Sequence, residues 1–175
     1  MRQVKVVQHD PKWCQAFKAE SHRVAEALGK NVFSVHHIGS TAIPDIYAKP
    51  IIDLLVEVKA ITEVDKQSPS MERLGYETMG EFGIPERRYF RKNNQAGIRT
   101  HHVHVFQLGS EQIERHLAFR DYMIAHPDEA QRYSDLKRKL AAVYPNDIEE
   151  YMDGKDGFIK AIDLKAAQWR SLNFI

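Results

Sequence analysis

Two kinds of hydrophobic pattern divide the chain. Up to Gly109, short apolar runs alternate with polar residues, as in "IIDLLVEV" from Ile51, and this spacing is typical of β-strands. From Ser110 onward, apolar residues recur at every third or fourth position, as in "SEQIERHLAFRDYMIAH", which indicates helices. We therefore expect an α/β (α+β) fold. Residues 1–109 are expected to form a small mixed β-sheet with flanking helices. Residues 110–175 are expected to form a helical part that packs on this sheet within a single domain, 1–175.

The first part of the chain predicts one long helix and several short strands. "VKVV" from Val4 predicts a short edge strand, and Asp10 followed by Pro11 has the chemistry of a helix start. The helix then runs towards Leu28, where Gly29 ends it. Further strands are expected near Val32, Ile52, Tyr89 and Val103. The last two form a hairpin across the polar turn "NNQAG".

Three helices are expected after Ser110. Pro127 opens the second of them, and Asn146 with Glu149 has the spacing of a capping box for the third. Gly154 and Gly157 fall inside this third helix, where glycine favours an interruption.

Composition and charge narrow the classes of protein. Hydrophobic residues make up 43% of the 175 residues, which is enough for a core. Twenty-five basic residues against 24 acidic ones give a net charge of +1, so there is no overall signal for nucleic-acid binding. The start, "MRQVKVVQHDPKW", lacks the apolar core of a signal peptide, and no apolar run is long enough for a membrane span. With a single cysteine, these features predict a cytoplasmic protein without a membrane partner.

Asp53 is an acidic residue within the most apolar strand pattern of the chain. The alternation places Ile52 and Leu54 on one face of the strand and Asp53 with Leu55 on the other. A carboxylate in such a strand is costly unless it is paired, hydrogen-bonded or bound to a metal ion. A structural ion pair with Lys49 or an arginine is the alternative to a functional role.

Two histidines in "THHVHVF" share one strand face. His102 and His104 alternate with Val103 and Val105, so the two imidazoles project side by side. Such a pair can hold a metal ion or transfer protons, although histidines on a half-exposed strand are often inert. If the strand of Asp53 lies next to this one, we expect all three side chains to meet on one face.

Two further motifs have the chemistry of phosphate binding. In "GST", from Gly39 to Thr41, a glycine lets backbone N–H groups approach a phosphate, although the same letters mark ordinary turns. A basic set near "GIPERRYFRK" either clamps phosphates or solvates an edge strand, and it comprises Arg87, Arg88, Arg91 and Lys92.

Four segments together resemble the GrpB-like family over nearly the whole chain. They are "HHIGSTAIPDIYAKPIID", "GEFGIPERRYFRK", "HHVHVF" and "RHLAFRDYMIAHPDEAQRYSDLKRKLA". The resemblance implies a nucleotidyltransferase-like fold. It matches Gly39 and Ser40 to the phosphate-binding turn of nucleotidyltransferases and Asp53 to the first aspartate of their metal-binding pair. Arg120 and Lys155 also match family motif positions and are candidates for the pocket wall, although solvent exposure is the stronger expectation for either residue.

The sequence departs from the nucleotidyltransferase pattern at one position. The second carboxylate of that pattern falls two residues after the first, where this chain has Leu55. Glu57 lies four residues from Asp53, or roughly 13 Å along a strand, and does not replace it simply. His102 and His104 would have to complete the ligand set, and imidazole ligands shift the preference from Mg²⁺ towards Zn²⁺, Mn²⁺ or Ni²⁺.

Two functions follow from these observations and the resemblance. The first is metal-assisted nucleotidyl transfer to an unknown acceptor, with a divalent ion (Mg²⁺, Mn²⁺ or Zn²⁺) and a nucleotide or phosphorylated small molecule as partner. Asp53 and His104 are then catalytic, and Asp53, His102 and His104 bind the metal. The expected phosphate contacts are Gly39, Ser40, Thr41, Lys49, Arg88 and Arg91. The alternative, favoured by Leu55, is a catalytically inactive nucleotide- or phosphometabolite-binding module.

Overall fold

The structure is a computed structural model that describes residues 3–173. Within these residues, the chain divides into two compact units. The sheet unit consists of Pro11–Ile38 and Ile51–Ile113. The helical unit consists of the segment up to Asp10, Gly39–Pro50, and the segment from Glu114 onward. The prediction of a single domain remains a prediction.

The described residues form five β-strands and five α-helices, together with short 3₁₀ turns. The strands are β1 (Val32–Ile38), β2 (Ile52–Val58), β3 (Tyr76–Thr78), β4 (Arg88–Asn93) and β5 (Arg99–Gln107). The helices are α1 (Lys12–Leu28), α2 (Val64–Arg73), α3 (Glu111–Ala125), α4 (Pro127–Val143) and α5 (Ile148–Asn173). This composition confirms the predicted α+β class. None of the helices between residues 3 and 173 combines the length and the apolar composition that a bilayer crossing requires.

The sheet is mixed, and its strand order is β1-β2-β5-β4-β3. β2 and β5 are parallel, whereas the other neighbouring strands are antiparallel. The predicted hairpin is confirmed as β4 and β5, and the three-residue strand β3 was not predicted. The parallel pairing of β2 with β5 determines which side chains of the two strands lie together.

The two faces of the sheet differ sharply in polarity. The helix face carries side chains that are 0% exposed, among them Leu54, Val56, Val103 and Val105, and α1 packs on β1 and β2. On this side His37 stacks on Phe17 of α1, with 4.7 Å between the ring centroids. The opposite face, called the polar face, carries Asp53 together with His102 and His104 of β5.

One carboxylate lies buried beneath the helix face. Glu20 of α1 is 3% exposed, and its oxygens accept hydrogen bonds from Lys92 Nζ at 2.9 and 3.1 Å. His101 Nε2 lies 3.2 Å from Glu20 Oε2. These partners offset the cost of burying the carboxylate, so Lys92 has a structural role in the sheet unit.

The helical unit has its own apolar core, formed by the 39–50 segment and the three C-terminal helices. Its buried members are Ile43, Ile46, Ala118, Tyr122, Met123, Ala130, Tyr133, Ile162 and Ala166. Tyr133 stacks on Phe158, with 5.6 Å between ring centroids. Close packing of α4 on α5 is possible because α5 has a glycine, Gly154, opposite Leu140.

Three local predictions were wrong. Instead of an edge strand at Val4–Val7, the structure has a single antiparallel bridge between Val7 and Ala48. The capping residue of α5 is Asp147, whose Oδ1 accepts a hydrogen bond from Glu150 N at 3.1 Å. The predicted capping box started one residue too early. The helix also continues without interruption through its glycines, because tertiary packing outweighs their low helix propensity.

Candidate metal centre

The candidate site lies on the central strands of the sheet unit. The register of β2 and β5 pairs Asp53 with His102 and Leu55 with His104. Paired residues on neighbouring strands project from the same face, so Asp53 and both histidines share the polar face. The expectation that the two strands are neighbours is therefore confirmed.

The three side chains are close enough to share one ligand. Asp53 Oδ1 lies 3.2 Å from His102 Nδ1 and 3.3 Å from His104 Nε2. One potential ligand atom from each residue lies within 4.8 Å of the others. Two atoms bound to one tetrahedral ion at about 2.1 Å are roughly 3.4 Å apart, so this spacing matches a common ion.

Each imidazole also contacts an arginine through its second ring nitrogen. Arg87 Nη1 lies 3.3 Å from His104 Nδ1, and Arg99 Nη1 lies 3.2 Å from His102 Nε2. Arginine donates hydrogen bonds and cannot accept them, so these two ring nitrogens are acceptors. The ring protons therefore lie on the nitrogens that face Asp53, and both histidines donate to its carboxylate.

Electrostatics support this assignment of protons. Burial alone would raise the pKa of Asp53, but the hydrogen bonds that His102 and His104 donate outweigh it and hold the pKa well below its usual range. Burial lowers the pKa of His102, and nearby Arg99 acts in the same direction, against the raising effect of Asp53. At neutral pH, the carboxylate is ionised and His102 is neutral.

The three ligand residues fit a divalent ion, but the residues that contact the second ring nitrogens of the histidines are unusual for a metal site. One carboxylate oxygen and two imidazole nitrogens favour Zn²⁺, Mn²⁺ or Ni²⁺ over Mg²⁺. Ion binding displaces the two ring protons that face Asp53, so the opposite nitrogens then carry protons. Metal-bound imidazoles usually donate that proton to an oxygen acceptor, whereas here the neighbours are the donors Arg87 and Arg99. These two arginines must turn away when an ion binds.

The second acidic residue of β2 belongs to another cluster. Glu57 lies on the polar face, and its Oε1 contacts His36 Nε2 at 2.6 Å and Ser34 Oγ at 3.0 Å. Leu55, between the two carboxylates, is 0% exposed. Glu57 therefore does not complete the ligand set of Asp53.

Sequence reasoning missed two residues of the site, Tyr89 and Arg99. The ring centroid of Tyr89 lies 5.6 Å from that of His102 and 5.3 Å from that of His104, and the Arg87 guanidinium lies over the Tyr89 ring, 4.7 Å from its centroid. Burial and the charge of Asp53 raise the pKa of Tyr89. The sequence does contain a signal for the position of Tyr89. The alternation of "RRYFRK" places Tyr89 and Phe90 on opposite faces of the strand.

The two predicted phosphate-binding arginines of β4 lie on different faces. Arg88 pairs with Val105 in the sheet, so it lies on the helix face, and its guanidinium binds both oxygens of Asp65 at 2.7 and 3.2 Å. Arg91 lies on the polar face and binds both oxygens of Glu77 at 3.0 and 3.4 Å. The geometry favours a phosphate contact for Arg91 over one for Arg88.

The predicted phosphate turn and Lys49 belong to the helical unit. Gly39 has a φ of 74°, a left-handed conformation that favours glycine, and Ser40–Ala42 form a 3₁₀ turn. Thr41 is buried in this turn. Lys49 Nζ lies 5.2 Å from the ring centroid of Tyr151. Whether these residues bind phosphate stays a prediction.

Comparison with solved structures defines the class of fold. The chain superposes on the Cid1 poly(U) polymerase, determined with bound MgGTP, with a TM-score of 0.55 and 12% sequence identity. The match covers 77% of this chain and 44% of the Cid1 chain. The fold is therefore nucleotidyltransferase-like, and at this identity the likeness concerns the fold alone.

The chain belongs to the GrpB protein family, whose sequence pattern matches residues 3–165. It is 44% identical over 169 residues to UPF0157 protein YqkA of Bacillus subtilis (strain 168), a match that covers 97% of this chain and 49% of YqkA. The chain thus spans about half the length of this relative. The crystal structure of the conserved protein GrpB from Enterococcus faecalis matches with a TM-score of 0.90 and 45% identity, over 94% of this chain and 98% of that one.

Proposed function

We propose that the protein performs metal-assisted nucleotidyl transfer from a nucleoside triphosphate to an acceptor, with Asp53 and His104 as catalytic residues. The observation that carries this proposal is the convergence of Asp53, His102 and His104 on the polar face of a nucleotidyltransferase-like sheet. Asp53, His102 and His104 would hold a divalent ion, which would polarise the α-phosphoryl group and neutralise its charge.

In this reaction, an acceptor oxygen forms a bond to the α-phosphorus while the bond from that phosphorus to the bridging oxygen breaks. Pyrophosphate is the leaving group. The acceptor's proton passes to solvent water, because the strongly lowered pKa of Asp53 makes its carboxylate a weak base. The predicted phosphate contacts are Gly39, Ser40, Thr41, Lys49 and Arg91, with Arg88 the least favoured by its position.

The test uses the full chain stripped of metal. Calorimetry measures the binding of Zn²⁺, Mn²⁺ and Mg²⁺, and nucleoside triphosphates labelled at the α-phosphate report transfer to a panel of hydroxyl acceptors. Asp53→Asn should weaken metal binding by at least ~10-fold and abolish transfer, because it removes the anionic ligand. Glu57→Gln is the matched control, since this residue lies on the same strand and face but pairs with His36. Equal losses in both variants would contradict the proposal.

The second candidate is a nucleotide- or phosphometabolite-binding module without a chemical step. Two observations favour it: Leu55 is fully buried where a second carboxylate is expected, and the arginines behind both imidazoles oppose metal binding. A module binds nucleotide with an affinity that is independent of the divalent ion and transfers no label to any acceptor. Metal-dependent transfer that disappears in Asp53→Asn excludes this candidate.

A further inference from the structure

Three lysines surround two tyrosines in the helical unit. Lys49 Nζ and Lys155 Nζ lie 5.2 and 5.0 Å from the ring centroid of Tyr151, and Lys137 Nζ lies 4.4 Å from that of Tyr133. Lys49 comes from the segment before β2, Lys137 from α4 and Lys155 from α5. We call Lys49, Lys137 and Lys155 the lysine cluster.

Two members of the lysine cluster are buried, which is rare for lysine without a charged partner. Lys137 is 1% exposed and Lys155 is 8% exposed, so the expectation that Lys155 is exposed was wrong. Among the described residues, Lys137 Nζ has no hydrogen-bond partner. Burial of an ammonium group is energetically unfavourable when its three N–H donors have no hydrogen-bond acceptor.

Helix packing holds these ammonium groups in place. Lys137 lies on the buried stripe of α4 between Tyr133 and Leu140, so its position follows from the helical repeat. Leu140 packs against Gly154 of α5, one residue before Lys155. The site is therefore built into the core of the helical unit and is not an accident of mobile surface side chains.

Within residues 3–173, the charged groups that shift the pKa of Lys137 are both cations, Lys155 and Lys49. Burial, followed by the positive charges of Lys155 and Lys49, lowers the pKa of Lys137 to about 6. Two tyrosines face the cluster, Tyr133 and Tyr151, and their rings lie beside the lysine Nζ atoms. Burial raises the pKa of Tyr151, so this group does not supply negative charge at neutral pH.

We propose that the lysine cluster is a binding site for a phosphate-class oxyanion, supplied either by free pyrophosphate or by the polyphosphate of a nucleotide. The compact charge and freely oriented donors of a lysine ammonium suit tetrahedral phosphate oxygens. Such an anion supplies the missing acceptor for Lys137 and stabilises its protonated form beside Lys49 and Lys155. The proposal uses residues of the helical unit alone and holds whether or not Asp53 binds a metal ion.

The test measures anion binding by calorimetry with the full chain in excess chelator, so that no divalent ion contributes. The titrants are pyrophosphate, ATP and adenosine. We expect pyrophosphate and ATP to bind to the wild-type protein, and adenosine not to bind. ATP that binds at least tenfold more tightly than pyrophosphate identifies a nucleotide as the source. Pyrophosphate that binds as tightly as ATP identifies the free anion.

Lys137→Met keeps the length and the apolar stem of the side chain and removes its charge. It should weaken pyrophosphate and ATP binding at least tenfold, and Lys155→Gln should act in the same direction if the first variant folds poorly. The matched control is Lys139→Met, an exposed lysine two residues along the same helix, which should change affinity less than twofold. Thermal unfolding verifies that each variant is folded.

Proton uptake separates a direct contact from a general loss of positive charge. Anion binding favours protonated Lys137, which is mainly neutral beforehand, so binding at pH 7.5 should take up nearly one proton per site. Titrations in two buffers of different ionisation enthalpy measure this uptake, and Lys137→Met should abolish it. The proposal is overturned if the wild-type protein binds neither anion, if Lys137→Met binds them within twofold of wild type, or if Lys139→Met loses as much affinity.

Discussion

The cluster around Asp53 and the lysine cluster respond to burial in opposite ways. In the sheet unit, two histidines donate hydrogen bonds to Asp53, and each histidine in turn contacts an arginine. In the helical unit, Lys137 Nζ has no hydrogen-bond partner within the described part of the chain. The first cluster is complete with protein groups alone, whereas Lys137 of the second lacks an acceptor among residues 3–173.

The pKa of the central group falls in both clusters, yet the meaning differs. For Asp53, a lowered pKa means that the folded protein stabilises the charged form. For Lys137, a lowered pKa means that the folded protein destabilises the charged form. A ligand at Asp53 therefore has to compete with existing hydrogen bonds, whereas an anion at Lys137 satisfies a group that has none. A lowered pKa alone therefore does not indicate a binding site. The hydrogen-bond partners of the shifted group must also be known, because they show whether its charged form is already stabilised.

The largest effect on stability is expected for Lys137→Met. At pH 7, Lys137 is mainly neutral in the folded protein and protonated in the unfolded chain, which therefore binds more protons, so wild-type stability rises between about pH 6 and 10. The variant should be more stable by about 2–5 kcal/mol at pH 7, since a tenfold change in protonation corresponds to about 1.4 kcal/mol.

Urea unfolding of both proteins from pH 6 to 10 measures this difference, which should shrink towards the ordinary lysine pKa of about 10.4. Lys139→Met should show no such dependence on pH. A variant less stable than wild type at pH 7 would mean that Lys137 has a partner in solution, and the contrast between the two clusters would be lost.

The second effect concerns the packing that holds the lysine cluster. A Cβ at Gly154 would lie 2.5 Å from Leu140 Cδ2, whereas one at Gly157 meets nothing within 4 Å. Gly154→Ala should therefore cost about 1–3 kcal/mol through overpacking. Gly157→Ala should gain about 0.5–1 kcal/mol from helix propensity and serves as the control. Thermal unfolding tests both, and Gly154→Ala should also weaken pyrophosphate binding while it leaves metal binding unchanged.

A smaller effect is expected when Asp53 is replaced by Asn. The pKa of Asp53 is lowered in the folded protein, so its contribution to stability is present above the ordinary aspartate pKa of about 3.9 and disappears as the pH falls below it. Asp53→Asn should cost about 1–2 kcal/mol at pH 7, the value of a charged hydrogen-bond acceptor, and progressively less below pH 4. Urea midpoints at pH 7, 5 and 3 check this, and a difference that does not change with pH would contradict the lowered pKa of Asp53.

The candidate site could largely be predicted from the sequence, because alternation along a strand is a local property. Asp53, His102 and His104 each stood out as polar residues on one face of an apolar strand. The contacts of Arg87 and Arg99 could not be predicted, since they depend on the register between β4 and β5 and on side-chain conformations. The prediction of an edge strand at Val4–Val7 was wrong for a related reason. An apolar pattern does not show whether a neighbouring strand is available for pairing, and here the pairing is limited to the bridge between Val7 and Ala48.

The positions of two lysines on apolar helix stripes indicate the lysine cluster in the sequence. Lys137 falls four residues after Tyr133 and three before Leu140, so it occupies the apolar stripe of its helix. Lys155 falls four residues after Tyr151 in the same way. A charged residue on an apolar stripe indicates a buried partner or a buried ligand, as Glu20 with Lys92 shows for the first case. Which of the two applies becomes clear only from the contacts.

The smallest effect is expected for Arg88→Gln, and it decides where anions bind. The Arg88 guanidinium already binds both oxygens of Asp65 and lies on the helix face of the sheet. Because the Asp65 side chain is 58% exposed, loss of this pair should cost less than about 1 kcal/mol. Pyrophosphate affinity should stay within twofold of wild type, whereas the sequence-based assignment of Arg88 to phosphate binding predicts a clear loss. Calorimetry on Arg88→Gln, with Asp65→Asn as a control that breaks the same pair from its acidic side, distinguishes the two. A tenfold loss in Arg88→Gln alone would place anion binding in the sheet unit and remove the contrast between the two clusters.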